Sequence, residues 1–297
     1  MIKPSNNNTK QELSIIFLHI PKAAGSTLDS VINLQYDPNA IFQTDGVHIT
    51  ESIEEFKKLP EAQRAGIKVL KGHMFFGLHE FLPQPSTYIT VLRDPVDRVI
   101  SHYYHVLRHS NHYLYKEVKS RNMSLKEYVS SGISVELDNG QTRDLSGEGI
   151  IQKPFPDMGI AFGHCSTEML ERAKKNLRKH FAVVGLSERF DETLILLKRA
   201  FRWRTPFYVK KNVGTNRPPK DISKDDLKVI EKYNELDIEI YKYAKEIFEE
   251  QISQQSPLSS FEGDLKMFKL LNESCGQIGV FYYRATRKIK SLARNYT

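Results

Sequence analysis
Apolar residues in this chain gather in short unbroken runs, each ended by a polar turn and followed by a stretch with helical spacing. Ser14 to His19, Ile67 to Leu70, Thr87 to Leu92 and Phe181 to Leu186 have the length and β-branched content of buried strands, and Ala40 to Gln43 offers a shorter one. Helical spacing follows at Gly25 to Leu34 and at Thr50 to Leu59, where Ile53, Phe56 and Leu59 share a face and Pro60 stops the element. It returns at Met74 to Phe81, from Pro95 onward, and at Ser124 to Ser131, Ser166 to His180 and Arg189 to Trp203. A long helix is expected over Ser223 to Glu250, opened by Ser223 with Asp226 three residues on. Strand and helix in alternation predict an α/β fold of three layers. A central parallel sheet lies between helices, and ligands bind beyond the carboxyl ends of its strands.

The same pattern divides the chain. Residues 1–13 begin with an Asn/Lys-rich stretch and read as a flexible N-terminus, and residues 14–250 as the main domain. Within it, 109–165 is irregular and glycine-containing, as an acceptor-binding or lid insertion is, and Lys210 to Pro219 is a loop by composition. Residues 251–297 form a Gln/Ser/Pro linker and a basic amphipathic helix, in which Ile278, Phe281, Tyr282, Ala285, Ile289 and Leu292 trace one face.

Composition changes this picture in two places. Of the net charge of +7, the tail from Asp264 to Thr297 supplies +5, with seven Lys/Arg against two acids, so the body is nearly neutral. That distribution disfavours a nucleic-acid partner and suits a tail that contacts a membrane surface or a protein. No run reaches the 18 or so apolar residues of a membrane span, and Met1 to Glu12 lacks a signal peptide's apolar core, so a soluble, cytoplasmic protein is expected. Cys165 and Cys275 are too few for a disulfide framework or a zinc site.

The candidate chemistry sits where strands give way to helices. Between Ile15 and Leu28 an apolar run breaks into Pro21-Lys22-Ala23-Ala24-Gly25-Ser26-Thr27 and resumes as a helix. First-turn N–H groups, the helix dipole and the Lys22 charge would meet there on one anion, a phosphate or sulfate ester. The lysine precedes the glycine, so this is not the triphosphate loop of kinases and ATPases. Arg93 and Ser101, eight apart across the next strand-to-helix turn, would hold a second anion, and two such sites suit a nucleotide phosphorylated at both ends of its ribose. His73 ends another strand, and His19 opens the Lys22 loop as a structural or pocket-wall residue. His102, His105, His109 and His112 share a helical face but have no Cys or carboxylate beside them, so no metal is assigned and the stripe reads as surface or acceptor-facing.

At these residues the chain resembles the sulfotransferases that use 3′-phosphoadenosine 5′-phosphosulfate (PAPS), in particular the carbohydrate family of the heparan sulfate 2-O- and 6-O-sulfotransferases. His19 to Thr27 resembles that family's 5′-phosphosulfate loop, Val91 to Ser101 its 3′-phosphate segment, and Lys71-Gly72-His73 the element that carries its general base. Gly185 to Phe190, Lys211-Asn212-Val213 and the helix with Asn234, Asp237, Tyr241, Ala244 and Phe248 are similar to its later landmarks, so the likeness covers Ser14 to Phe248. Ala23 stands where the family commonly has a hydroxyl residue, and the membrane anchor of the Golgi enzymes is not seen.

The resemblance implies a P-loop-like fold and sulfuryl transfer from PAPS to a hydroxyl of a carbohydrate, with no metal. Lys22 would sit on the leaving oxygen and His73 would be the base. Ala23, Ala24, Gly25, Ser26, Thr27, Arg93, Ser101, Lys211 and Asn212 would bind the nucleotide, and His19, Gln141 and Arg143 would lie near the acceptor. A P-loop kinase-like phosphotransferase and a non-catalytic nucleotide- or glycan-binding module of the same fold are the alternatives.

Overall fold
The computed structural model describes residues 13–46, 48–147, 160–209 and 222–294, with side chains described as far as Ala285. The expected Lys210 to Pro219 loop, with Lys211 and Asn212, lies outside the described residues. Five strands form one sheet: β1 (Ser14–Leu18), β2 (Ile41–Gln43), β3 (Val69–Gly72), β4 (Ser86–Leu92) and β5 (Phe181–Leu186). Their order is β2-β3-β1-β4-β5 and every pair is parallel. β1 and β3 are buried along their whole length and β4 along most of it, which is why these strands lack the apolar–polar alternation of a sheet with one wet face.

The chain leaves β1 toward β3 and β2 on one side, and β4 and β5 lie on the other. β1 is therefore the switch point, and a crevice opens beyond its carboxyl end. The helix that follows it, α1 (Gly25–Gln35), is fixed to the sheet by Lys71 of β3. That side chain is wholly buried, and its ammonium donates to Asp29 Oδ1 at 2.5 Å and to Asn33 Oδ1 at 3.0 Å on α1.

The remaining helices are α2 (Ile49–Lys58), α3 (Glu61–Ala65), α4 (Pro95–Arg108), α5 (Tyr115–Ser120), α6 (Leu125–Ser130), α7 (Gly140–Ser146), α8 (Thr167–His180), α9 (Phe190–Phe201), α10 (Lys224–Tyr233), α11 (Glu235–Ser253) and α12 (Leu258–Arg294). Four of these regions depart from the sequence expectation. Met74 to Phe81 makes only a single turn of 3₁₀ helix at Leu78–Phe81, because the buried Tyr88 hydroxyl accepts the Gly77 and His79 N–H groups at 3.0 and 3.1 Å. The helix expected over Ser223 to Glu250 is broken at Asn234, whose side-chain amide donates to Leu137 O and Ile230 O at 2.9 Å. The Ser223/Asp226 capping box does form. The expected linker is mostly helix: α11 runs to Ser253 and α12 starts at Leu258, burying Phe261 and Phe268 against the body.

The fourth departure is the insertion. Its first part, α5 and α6, buries Val118, Leu125, Tyr128 and Val129 with Val99, Tyr103 and Val106 of α4 in a second apolar cluster. The stretch from Asp138 to Gly147, a glycine-containing loop by composition, holds the buried helix α7. α7 and α11 cap each other. Asn139 Oδ1 accepts the Leu236 and Asp237 N–H groups at 2.9 and 3.1 Å, and the Asp237 carboxylate accepts the Gln141 and Thr142 N–H groups at 3.0 and 2.8 Å. Asp237 also accepts the Thr142 hydroxyl at 2.9 Å and pairs with the buried Arg98 at 3.5 Å. These are contacts between residues nearly a hundred positions apart, so a local reading of 138–147 sees only turn residues.

Replacing Asp237 with Ala strips α7 of its cap and leaves Arg98 buried without its counter-ion, a loss on the order of 3–5 kcal/mol. Urea unfolding of Asp237→Ala measures it directly. A loss below about 1 kcal/mol, the size of an ordinary surface change, would show that the mutual cap is not structural.

Candidate active site
The loop after β1 is made by two non-glycine residues in left-handed backbone, Lys22 at φ 68° and Ala24 at φ 61°. Each costs on the order of 1–2 kcal/mol. The conformation turns the chain from strand to helix within a few residues. Thr27 and Leu28 N–H groups fold back on Ala24 O at 3.0 and 3.3 Å, so the Thr27 donor expected at an anion is already used. No side chain caps α1, which leaves the first-turn N–H groups ahead of Thr27 and the positive end of the helix dipole for a ligand.

Lys22 is held in this loop as a partly buried cation. Its ammonium is brought down from 10.5 to about 8 by burial, then by Arg108 and Arg93, with Glu136 opposing them. Because the unfolded chain keeps that proton to higher pH, the group destabilises the fold below pH 8, and the penalty fades as pH rises from about 8 to 10.5. Cations crowded together without enough neutralising charge make this loop a candidate seat for an anion.

Arg93 leaves β4 at the neighbouring strand end. One guanidinium N–H donates to Lys22 O at 3.1 Å, tying the two rim turns together. Its peptide groups are clasped by the fully buried Gln141, whose Oε1 accepts the Arg93 N–H at 3.0 Å and whose Nε2 donates to Arg93 O at 2.9 Å. Asp94 does not take up the guanidinium as a structural partner. Its carboxylate caps α4 by accepting the Val96 and Asp97 N–H groups at 3.0 and 3.1 Å. Ser101 is half-buried two turns along α4.

Two expected acceptor residues are thus reassigned. Gln141 holds the Arg93 turn. Arg143 is buried and holds the insertion together, its guanidinium pairing with Asp138 Oδ2 at 2.5 Å and donating to Ile160 O and Ala161 O at 2.6 and 3.0 Å. Both are occupied because α7 is a buried helix.

His73 follows β3 on the other side of β1. Its Nδ1 lies 2.9 Å from His19 O. A carbonyl can only accept, so Nδ1 carries a proton and Nε2 is the nitrogen left to act as a base. The backbone is pinned as well: Thr44 Oγ1 donates to His73 O at 2.8 Å and His19 N–H donates to Gly72 O at 3.0 Å. His19 stacks on His73 with ring centroids 4.4 Å apart, and it is held well below the ordinary histidine range by burial, then by His73, Lys71 and Lys22. It is a neutral wall between the base candidate and the lysine loop.

The four histidines do not share one helical face as expected: α4 ends at Arg108, so only His102 and His105 lie on it, and His109 and His112 follow in the turn beyond. His102 is buried, with Nε2 2.8 Å from Glu136 Oε2 and Nδ1 2.9 Å from the Tyr128 hydroxyl. Burial pushes the Glu136 carboxyl up, but His102, His73 and Arg98 outweigh it and bring the group down to about 2. His105 falls to about 3, through burial and then Lys22, and His112 to about 4, through burial and then His102. Both are uncharged at neutral pH. Among the described residues no group of three or more His, Cys, Asp or Glu is placed to hold a metal ion. Sequence reasoning missed Arg108 and Glu136. Arg108 had a signal, since Ser101, His105 and Arg108 stand four and seven apart on one face of α4; Glu136 had none.

Gly25 sets how closely these parts approach, because a Cβ there would fall 1.9 Å from the His19 ring. Gly25→Ala must push His19 off His73, and we expect a stability loss on the order of 1–3 kcal/mol together with impaired turnover. Thermal unfolding and an activity assay on the same preparation test this; wild-type values in both would show that the His19 packing is not needed.

Comparison with known proteins places the chain. Residues 6–244 match the model described as the Sulfotransferase family. Human heparan-sulfate 6-O-sulfotransferase 1 is 29% identical over 201 residues, covering 61% of this chain and 47% of that protein. Mouse heparan-sulfate 6-O-sulfotransferase 3 is 31% identical over 186 residues, covering 55% and 38%. The chain thus spans about half the length, or less, of the curated relatives it matches. A solved mouse sulfotransferase, SULT7A1 complexed with PAP, superposes with a TM-score of 0.35 and 12% identity over 85% of this chain and 88% of that one, too loosely to inform fold or site. With a family model matched across its whole parallel sheet and every strand-end cluster described above, the chain belongs to the sulfotransferase family.

Proposed function
We propose that this protein transfers a sulfuryl group from PAPS to a hydroxyl of a carbohydrate. The observation that carries the proposal is the pairing of the left-handed Lys22 loop, a cation-rich anion seat at the end of β1, with a tautomer-fixed His73 at the end of β3. The first turn of α1 would hold the 5′-phosphate, with Lys22 at the oxygen that leaves sulfur. Arg93 and Ser101 would hold the 3′-phosphate, and Lys211 and Asn212 would complete the nucleotide seat. PAPS supplies an activated sulfuryl group whose bond to the 5′-phosphate oxygen breaks as the acceptor oxygen bonds to sulfur.

The chain's own residues would do the rest. His73 Nε2 takes the acceptor's hydroxyl proton, while its Nδ1–H stays on His19 O and keeps the ring from turning. The Lys22 ammonium neutralises charge gathering on the departing phosphate oxygen. His105 and His112, uncharged and half-buried, can hydrogen-bond hydroxyls without repelling a cation. Glu136, 2.8 Å from His102 Nε2, offsets the cations around Lys22. A carbohydrate acceptor is supported by the relatives, whose names specify heparan sulfate.

The test is transfer of labelled sulfate from PAPS to a panel of glycans by wild type and His73→Ala. Wild type is expected to label a glycan. The variant is expected to lose about 10²–10⁴-fold in turnover, the usual contribution of a general base, while binding adenosine 3′,5′-bisphosphate (PAP) as wild type does. Unchanged turnover in His73→Ala would place the base elsewhere, and PAP binding without transfer to any acceptor would favour a non-catalytic binding module.

A further inference from the structure
α12 has two very different faces. Its inner face is committed to the body: Phe261, Phe268 and Val280 are buried, Asn272 Oδ1 accepts the Tyr208 N–H at 3.0 Å, and the Phe207 ring crosses so close to Gly279 that a Cβ would meet it at 2.4 Å. The Arg204 guanidinium lies over the Tyr283 ring at 4.5 Å. The helix is therefore held in one orientation. Its outer face carries Met267, Leu270, Leu271, Ile278, Phe281 and Tyr282, of which the last three are 68%, 73% and 61% exposed. At 1.5 Å per residue this stripe is about 22 Å long, and in the sequence Ala285, Ile289 and Leu292 continue its spacing. An apolar stripe of this length, fixed outward, marks an interaction surface.

Charge decides between occupants. From Ser274 to Arg294 the helix sequence contains Arg284, Arg287, Lys288, Lys290 and Arg294 and no acid. A second copy packed in parallel would set these cations against themselves. An antiparallel copy would set them against Asp264 to Glu273, where two acids are balanced by Lys266 and Lys269. Neither arrangement supplies neutralising charge, whereas anionic headgroups do. Apolar and aromatic side chains on one face of a cationic helix match a bilayer interface. Such a helix would lie on the surface rather than cross it, since no helix among the described residues is long and apolar enough to span a membrane.

We propose that the outer face of α12 seats this protein on an anionic lipid bilayer, with Ile278, Phe281 and Tyr282 entering the headgroup boundary and the basic stretch from Arg284 to Arg294 neutralising the lipid charge. The body then stands on the side of the helix away from the membrane, carried by the Phe207, Tyr208 and Arg204 contacts.

The experiment is co-sedimentation of the full chain with vesicles of phosphatidylcholine alone or mixed with phosphatidylglycerol, alongside light scattering of the protein without lipid. Expected are a monomer in solution, binding to the mixed vesicles, and little binding to phosphatidylcholine. High salt should release the protein from the mixed vesicles. The double variant Ile278→Ser/Phe281→Asp should partition about tenfold or more less well, with unfolding temperature and PAP affinity unchanged. Failure to bind mixed vesicles overturns the proposal. So does a wild-type dimer that the double variant disperses, because a second copy would then cover the face. Equal binding by the variant overturns it as well.

Discussion
An ammonium group forced by left-handed backbone into the company of two guanidinium groups is the constraint around which this molecule is arranged. Lys22 is held there at the cost of partial burial first and of charge repulsion second, the two causes of its fall to about 8. Nothing in the loop alone could keep it so. The loop stays in place because α1 is tied to the sheet through the buried Lys71–Asp29 pair, and because Arg93 reaches across to Lys22 O. Strain and repulsion of this kind persist only where surrounding structure over-determines them, and they gather where function needs a poised group.

Support for the rim runs deep into the helical layer. Gln141 clasps both backbone groups of Arg93, α7 carries Gln141, and Asp237 of α11 caps α7 while Asn139 caps α11 in return. Arg98, buried between them, bonds Glu136 O at 2.7 Å and so couples this lock to the turn that carries the Glu136–His102 pair. A second route fixes His73, through Thr44 on the β2 side and His19 on the β1 side. The two candidate functional centres thus stand on neighbouring strands and share supports, since the His19 carbonyl at the start of the Lys22 loop fixes His73, and Lys71, two residues before His73, ties α1 to the sheet. A change that loosens one is felt by the other.

Much of this was legible in the sequence, for physical reasons that differ between elements. The buried strands announced themselves because a parallel sheet covered on both faces demands largely apolar runs such as Ile15 to Leu18, and Ile89 to Leu92 with only the buried Thr90 between. The strand-end clusters were legible because a short polar turn between strand and helix leaves few positions where Lys22, His73 and Arg93 could sit. The role of 138–147 was not. Asp138-Asn139-Gly140 has turn chemistry, and its helix is imposed by Asp237 from the far end of the chain. Loop position and family likeness together place Gln141 and Arg143 at the acceptor; in the structure both side chains are buried and bonded within the fold. The break at Asn234 escaped notice for the same reason, since its partners Leu137 and Ile230 are selected by packing and not by spacing.

The measurement that bears most directly on the central claim is the affinity for PAP across pH 8, in wild type and in Lys22→Met. An anionic guest binds best while the free enzyme's Lys22 carries its proton, so wild-type affinity should hold steady below pH 8. It should then fall by up to about tenfold per pH unit above that point. The variant should bind more weakly throughout and lose the pH dependence. A wild-type affinity that does not change through pH 8, or a Lys22→Met variant that keeps the same slope, would contradict the assignment of Lys22 as the poised cation of the nucleotide seat.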